Sequence, residues 1–264
     1  MHLHFLDPYR PRASIIHALD ARVKLIWTLA FILTASLMPI GAWPAYVLLW
    51  VLGLLVMVLS ELGVGQILRR ALLALLFTLA AVPLIFTTPG TVLVTGPFGL
   101  TVTAPGVERV VSILFKSWIS LQMGLVLAQS TRFPDLLLAM RALRVPALFV
   151  SIFGLMWRYL FVLADEANSL IQARAARSGL AVALDRTRTG GTLAWRAKVA
   201  GGMAGNLFLR ANERGERIYA AMLARGYDGE PRSMVIPRIP MAQIIALIAS
   251  LMILILLLAL SRFF

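Results

Sequence analysis

The chain has 264 residues, of which 60% are apolar and 14% charged, with a formal net charge of +13 and no cysteine. With a mean hydropathy of +0.86 it lies outside the range of soluble domains, where about a quarter of residues are charged. The missing cysteines exclude disulfides, thiolate metal sites and Cys nucleophiles together. In so apolar a chain the Lys/Arg excess reads first as a positive-inside signal and as contact with anionic lipid, and no nucleic-acid partner is expected.

Residues 1–24 are polar and carry Arg10, Arg12, Arg22 and Lys24, as a cytoplasmic lead-in would. His2, His4 and His17 all fall in this segment; His2 and His4 with the terminal amine could bind a metal only weakly. Leu25 to Ser60 contains no charge. At 1.5 Å per residue that is about 54 Å of helix, too long for a hydrocarbon core of about 30 Å. The run must fold back, and Pro39, Gly41 and Pro44 mark the turn. Glu61, Arg69 and Arg70 then form a loop, Ala71 to about Pro89 a third span, and Pro89–Pro105 an uncharged outer loop. A fourth span runs from about Val107 to Ser130. Its Arg109, Ser112, Lys116, Ser120 and Met123 recur at helical spacing, leaving Lys116 either as structural glue or as a partner contact.

Past residue 131 the composition changes: residues 132–238 hold 16 of the 25 Lys/Arg and 8 of the 12 Asp/Glu. This region reads as a cytoplasmic coupling domain following four transmembrane helices in 25–131. It begins with a short amphipathic helix, Pro134–Val145, with Asp135 near its start and Arg141 and Arg144 near its end, as the helix dipole prefers. Two long helices follow, 146–177 and 192–226, joined by a polar connector. The first starts apolar (Phe149–Leu163) and is read as lying under or partly in the membrane, with a sixth span as the lesser alternative. A Pro-interrupted linker leads to a final uncharged span, 241–261. The expected fold is all-α and polytopic in the inner membrane, with about five spans and the N-terminus on the cytoplasmic side.

The chain lacks the machinery of an active enzyme. No phosphate-binding loop, HExxH, GxSxG or His/carboxylate cluster is present, and intramembrane carboxylates are nearly missing. It is not expected to be an enzyme or to bind a cofactor; ATP, if used, belongs to another chain.

The two long helices end alike, in Ala175-Ala176-Arg177-Ser178-Gly179 and Leu223-Ala224-Arg225-Gly226-Tyr227. Taken singly, each is a helix stop: a basic residue suits the last turn and Gly takes the left-handed cap. As a pair, they also suit docking: Ala keeps each end slim, and Arg at the tip can meet a carboxylate in a partner's groove. Gly201, Gly202 and Gly205 are the small residues that a close helix crossing would need.

These endings, the stretch Ile16-His17-Ala18-Leu19-Asp20-Ala21-Arg22-Val23-Lys24-Leu25 and the entry Ser130-Thr131-Arg132-Phe133-Pro134-Asp135 together resemble the transmembrane T component of energy-coupling factor (ECF) transporters, the EcfT/CbiQ family. The resemblance covers nearly the whole chain and is nearest to the cobalt-type members. It implies a non-catalytic scaffold linking two cytoplasmic ABC-type ATPase subunits to a membrane substrate-binding S component, for uptake of cobalt or nickel, or of a vitamin. It also implies that Arg177 and Arg225, flanked by Ala176, Ser178, Ala224 and Gly226, are the ATPase-coupling residues. Ser178 departs from the family's Ala-Arg-Gly and suggests a helix end displaced by about one residue.

Overall fold

A computed structural model describes residues 8–95, 101–178, 192–228 and 238–263, with the side chains of 73–79, 92–95, 101, 177 and 178 outside the description. His2, His4, the connector 180–191 and most of the linker 231–240 therefore fall outside the described residues. Among the described residues the chain is all-α apart from one small hairpin, and it forms two compact units, one of Pro8–Leu143 with Val235–Phe264, the other containing Arg144–Met234.

The first unit is a helical bundle. A one-turn helix α1 (Ile15–Ala18) leads into α2 (Ala21–Leu37), whose N-terminus is capped by Asp20 Oδ1 accepting from Arg22 N at 2.9 Å. The expected fold-back occurs where Pro39 and Gly41 stand. Gly41 has φ +86°, a left-handed conformation that costs glycine little, and α3 (Trp43–Leu59) starts with Pro44 in its first turn. Along α3, Tyr46, Leu49, Gly53 and Met57 are buried, at helical spacing.

The third expected span differs from observation. Helix α4 (Val64–Thr78) begins early enough to include Arg69 and Arg70, expected in a loop, and gives way to a 3₁₀ turn (Leu79–Ala81) before Pro83 and a short α5 (Leu84–Thr87). Proline lacks the N–H and clashes with the preceding turn, so an α-helix cannot pass through Pro83 undisturbed. The expected outer loop contains β1 (Val92–Thr95) and β2 (Thr101–Thr103), paired antiparallel. Thr103 then caps the 27-residue α6 (Ala104–Ser130), its hydroxyl accepting from Gly106 N at 3.3 Å.

Helix α6 packs against α2, α3, α4 and α5, and α10 (Met241–Leu260) closes the bundle against α2 and α3. The core joins Phe31 and Ala35 of α2, Tyr46 and Leu49 of α3, Ile119 and Met123 of α6, and Leu254 of α10. α2 and α6 run antiparallel, and each lends the other a lysine. Lys116 Nζ donates to the carbonyls of Ser36 and Met38 at the C-terminal end of α2. Lys24 Nζ donates to Ser130 O at the C-terminal end of α6, at 3.0 Å. A cation at the negative pole of each helix dipole ties the pair at both ends. Lys116 is thus structural glue.

The short amphipathic helix is α7 (Phe133–Ala142), with Asp135 in its first turn and Arg141 in its last. It packs on α2, and the compact units divide after Leu143, where Arg144 takes φ +63°. Residues 132–143 thus pack with the bundle, although composition groups them with the long helices.

The second unit is built on two 32-residue helices, α8 (Ala147–Ser178) and α9 (Leu193–Ala224). Among the described residues three helices are long and apolar enough to cross a membrane: α6, the Ala147–Ala176 part of α8, and α10. α8 therefore meets the length criterion of the lesser alternative. α2 and α3, at 17 residues each, would span about 25 Å.

Candidate functional site

The direction of α8 against α9 follows from two contacts. Glu166 of α8 pairs with Arg210 at 3.2 Å and Arg214 at 3.4 Å on α9, two arginines one turn apart. Nearer the end of α8, the Arg174 guanidinium lies 5.5 Å from the Trp195 ring centre, near the start of α9. Moving forward on α8 is moving backward on α9, so the two form an antiparallel hairpin. Side chains of Leu155, Tyr159 and Leu163 on α8 and of Ala211, Ile218 and Met222 on α9 line a groove of about 340 Å³ between them.

The second Arg ending is a complete Schellman cap. Gly226 has φ +78°; its N–H donates to Leu223 O at 2.9 Å, and Tyr227 N–H donates to Met222 O at 3.0 Å. The reversal turns Tyr227 back into the α8–α9 groove. Arg225 is left exposed as the cap residue, beside exposed Ala224, Ala221 and Ala220. Among the described residues its side chain has no ion pair.

In the first ending, Ala176 is exposed, and Arg177 and Ser178 are the last two residues of α8. Gly179 lies outside the described residues. The helix continues one residue past Arg177, whereas α9 stops one residue before Arg225. Tyr159 shares the groove with Tyr227, and the α8 segment from Tyr159 to Arg177 is about 27 Å long. The antiparallel hairpin therefore carries its two arginines at opposite ends.

Gly201, Gly202 and Gly205 are exposed, and a Cβ built on any of them would meet nothing within 4 Å. Apart from the Arg174–Trp195 contact near the start of α9, the helices meet further along, around Arg210–Met222, where Glu166 with its two arginines and larger apolar side chains hold them. Such a contact needs no close backbone approach. Glu166, Arg210 and Arg214 are residues that sequence reasoning did not single out, and Tyr227, quoted with the second ending, was given no role. The i, i+4 spacing of the arginines was a signal, but their partner depends on the register of the two helices.

Among the described residues no group of three His, Cys, Asp or Glu side chains could hold a metal ion. Among the described residues outside the hairpin, His17 is the one histidine, and its hydrogen bonds define its setting. Its Nε2 lies 3.0 Å from Arg10 O and so carries the proton; its Nδ1, 2.6 Å from Ser14 Oγ, accepts. Burial holds the imidazole below its ordinary pKa, with Lys24 and Arg12 adding repulsion, while the Arg10 carbonyl and Glu61 oppose the shift.

Comparison with known proteins agrees with this architecture. Among curated proteins, the chain is 31% identical to the cobalt transport protein CbiQ of Rhodobacter capsulatus over 58% of its length and 60% of that protein's. It is 27% identical to the EcfT transmembrane protein of Lacticaseibacillus paracasei, an energy-coupling factor transporter protein, over 85% of both chains. Identity is also 27% to the putative fused cobalt transport protein CbiMQ of Methanocorpusculum labreanum, over 82% of this chain and 35% of that protein. The profile of the cobalt transport protein family CbiQ matches residues 12–236. The chain therefore belongs to the CbiQ family of transporter membrane proteins, as a T component of the ECF type.

Proposed function

We propose that this chain couples two cytoplasmic ATPase subunits to a membrane S component that carries cobalt or nickel, and that it binds no nucleotide itself. ATP-driven closure of the ATPase pair moves the ends bearing Arg177 and Arg225, the α8–α9 hairpin carries that motion, and the bundle passes it to the S component. The observation that carries this reading is the antiparallel hairpin. It presents two Ala-Arg endings at opposite ends, as two docking sites on two ATPase subunits require. The fused CbiMQ relative supports a second membrane component working beside this one, and the CbiQ profile supports cobalt over a vitamin.

Charge reversal tests the coupling. Arg177→Glu and Arg225→Glu are each expected to weaken ATPase binding by about 2–5 kcal/mol, as for a charge pair buried in an interface, read as loss of the ATPase from affinity-purified complexes. Normal ATPase recovery with the double variant would sink the proposal. The small membrane protein recovered with the wild type identifies the cargo: a vitamin-binding S component in its place would move the assignment to the vitamin class.

A further inference from the structure

Inside the bundle, a cavity of about 310 Å³ lies between α2, α3, α6 and α10. Its walls are mainly aliphatic, with Val23, Leu52, Val56, Val126 and Leu247 among them, and Trp27 forms part of one side. Both Leu52 and Leu59 of α3 line it, so it runs about 10 Å along the helix. Lys24 also lines it.

Lys24 is 8% exposed, and its Nζ donates to two neutral acceptors, Ser130 O at 3.0 Å and His17 O at 3.3 Å. Among the described residues no carboxylate lies within ion-pair distance of it; Asp135 and Asp20 act on it only at longer range, and Asp20 is itself paired with Arg22 at 3.5 Å. The partial negative charge at the α6 C-terminus offsets part of the ammonium charge. A buried cation without a full counter-charge is costly, and an ammonium with three donors has one left here. An apolar slot with an incompletely neutralised cation on its wall matches an amphiphile with an anionic head and a hydrocarbon chain. Arg10, Arg22 and Arg132 belong to the same end of the bundle, linked there by the Arg10 N to Gln129 O bond and by the start of α2 next to Lys24. Anionic lipid headgroups collect at such basic ends.

We propose that this cavity holds one acyl chain of an anionic phospholipid, whose phosphate meets Lys24 Nζ. The site is separate from the ATPase-coupling residues, so it stands or falls independently of the coupling role. The test places the full chain in nanodiscs of phosphatidylcholine doped with acyl-brominated phosphatidylglycerol or acyl-brominated phosphatidylcholine. The quenching of Trp27 is obtained by difference from Trp27→Phe. Wild type is expected to show an apparent preference of about fivefold for the anionic lipid, and Lys24→Met to abolish it. Equal quenching by the two lipids in wild type, or a preference that survives Lys24→Met, overturns the proposal. Because Lys24→Met also removes a tie between α2 and α6, Val56→Phe provides a second arm that keeps the lysine and fills the slot. It should reduce Trp27 quenching by both lipids, and unchanged quenching overturns the proposal. Shielding of Trp27 from both lipids in the assembled transporter would assign the slot to a protein partner and also overturn it.

Discussion

The bundle and the α8–α9 hairpin are both helical and both rich in large apolar side chains, yet they treat those side chains differently. In the bundle, Phe31, Tyr46, Leu49, Met57 and Ile119 are almost completely enclosed. In the hairpin α9 buries no residue, and Leu148, Phe149, Ile152, Met156, Phe208 and Leu209 are all exposed. Two helices meeting along one line can cover only one stripe of each, whereas several helices around α6 enclose a core. The bundle therefore has an enclosed core of its own, while its outer faces also expose large apolar side chains such as Leu33, Val51, Leu55 and Ile255. Both units leave apolar faces more extensive than the isolated exposed side chains of soluble proteins.

Substitutions sharpen this contrast. Leu49→Ala, at a site with no exposure, is expected to cost about 2–5 kcal/mol through lost transfer energy and a cavity, read as a lowered thermal unfolding midpoint in detergent. A negligible shift would break the picture of a self-sufficient bundle. In the hairpin the effects are smaller. Gly226→Ala puts a Cβ on a left-handed residue and should cost about 1–2 kcal/mol, fraying the end of α9 and increasing hydrogen exchange at Gly226 and Tyr227. Glu166→Gln weakens two ion pairs whose arginines are 58% and 36% exposed, so its intrinsic cost is only about 0.2–1 kcal/mol. Spin labels on α8 and α9 should nevertheless report a broader distance distribution. An unchanged distribution would show that the apolar groove alone holds the helices.

The smallest effect concerns His17. Its folded-state pKa is depressed, so the unfolded chain binds more protons in the window below about pH 6.5. The stability from its neutral form is fully present above that value and is lost as pH falls through the folded-state pKa. His17→Gln should flatten the acid side of the unfolding profile, and an unchanged profile would remove His17 from the account.

Much of the architecture was legible in the sequence because burial in lipid leaves a long-wavelength signal. The uncharged run from Leu25 to Ser60 could not cross once and stop, and the break falls at Pro39 and Gly41, where the chain needs a helix stop and a left-handed residue. The Gly226 helix stop after Arg225 was legible for a similar local reason, since capping depends on neighbours in sequence. The third span was misread because its local signals conflict: Arg69 and Arg70 suggest a loop yet lie in α4, while Pro83 breaks a run whose composition suits a span.

The sequence by itself determined that this is an all-α membrane protein with two long basic-ended helices, since hydropathy, proline and cap residues act over a few neighbours. Only the tertiary structure decided the rest. It assigned Lys116 and Lys24 to opposite helix ends, brought Glu166 to Arg210 and Arg214, and left Gly201, Gly202 and Gly205 uncovered. Each of these depends on the register between helices distant in the chain. Pattern along one helix specifies which residues share a face, but packing decides what that face meets.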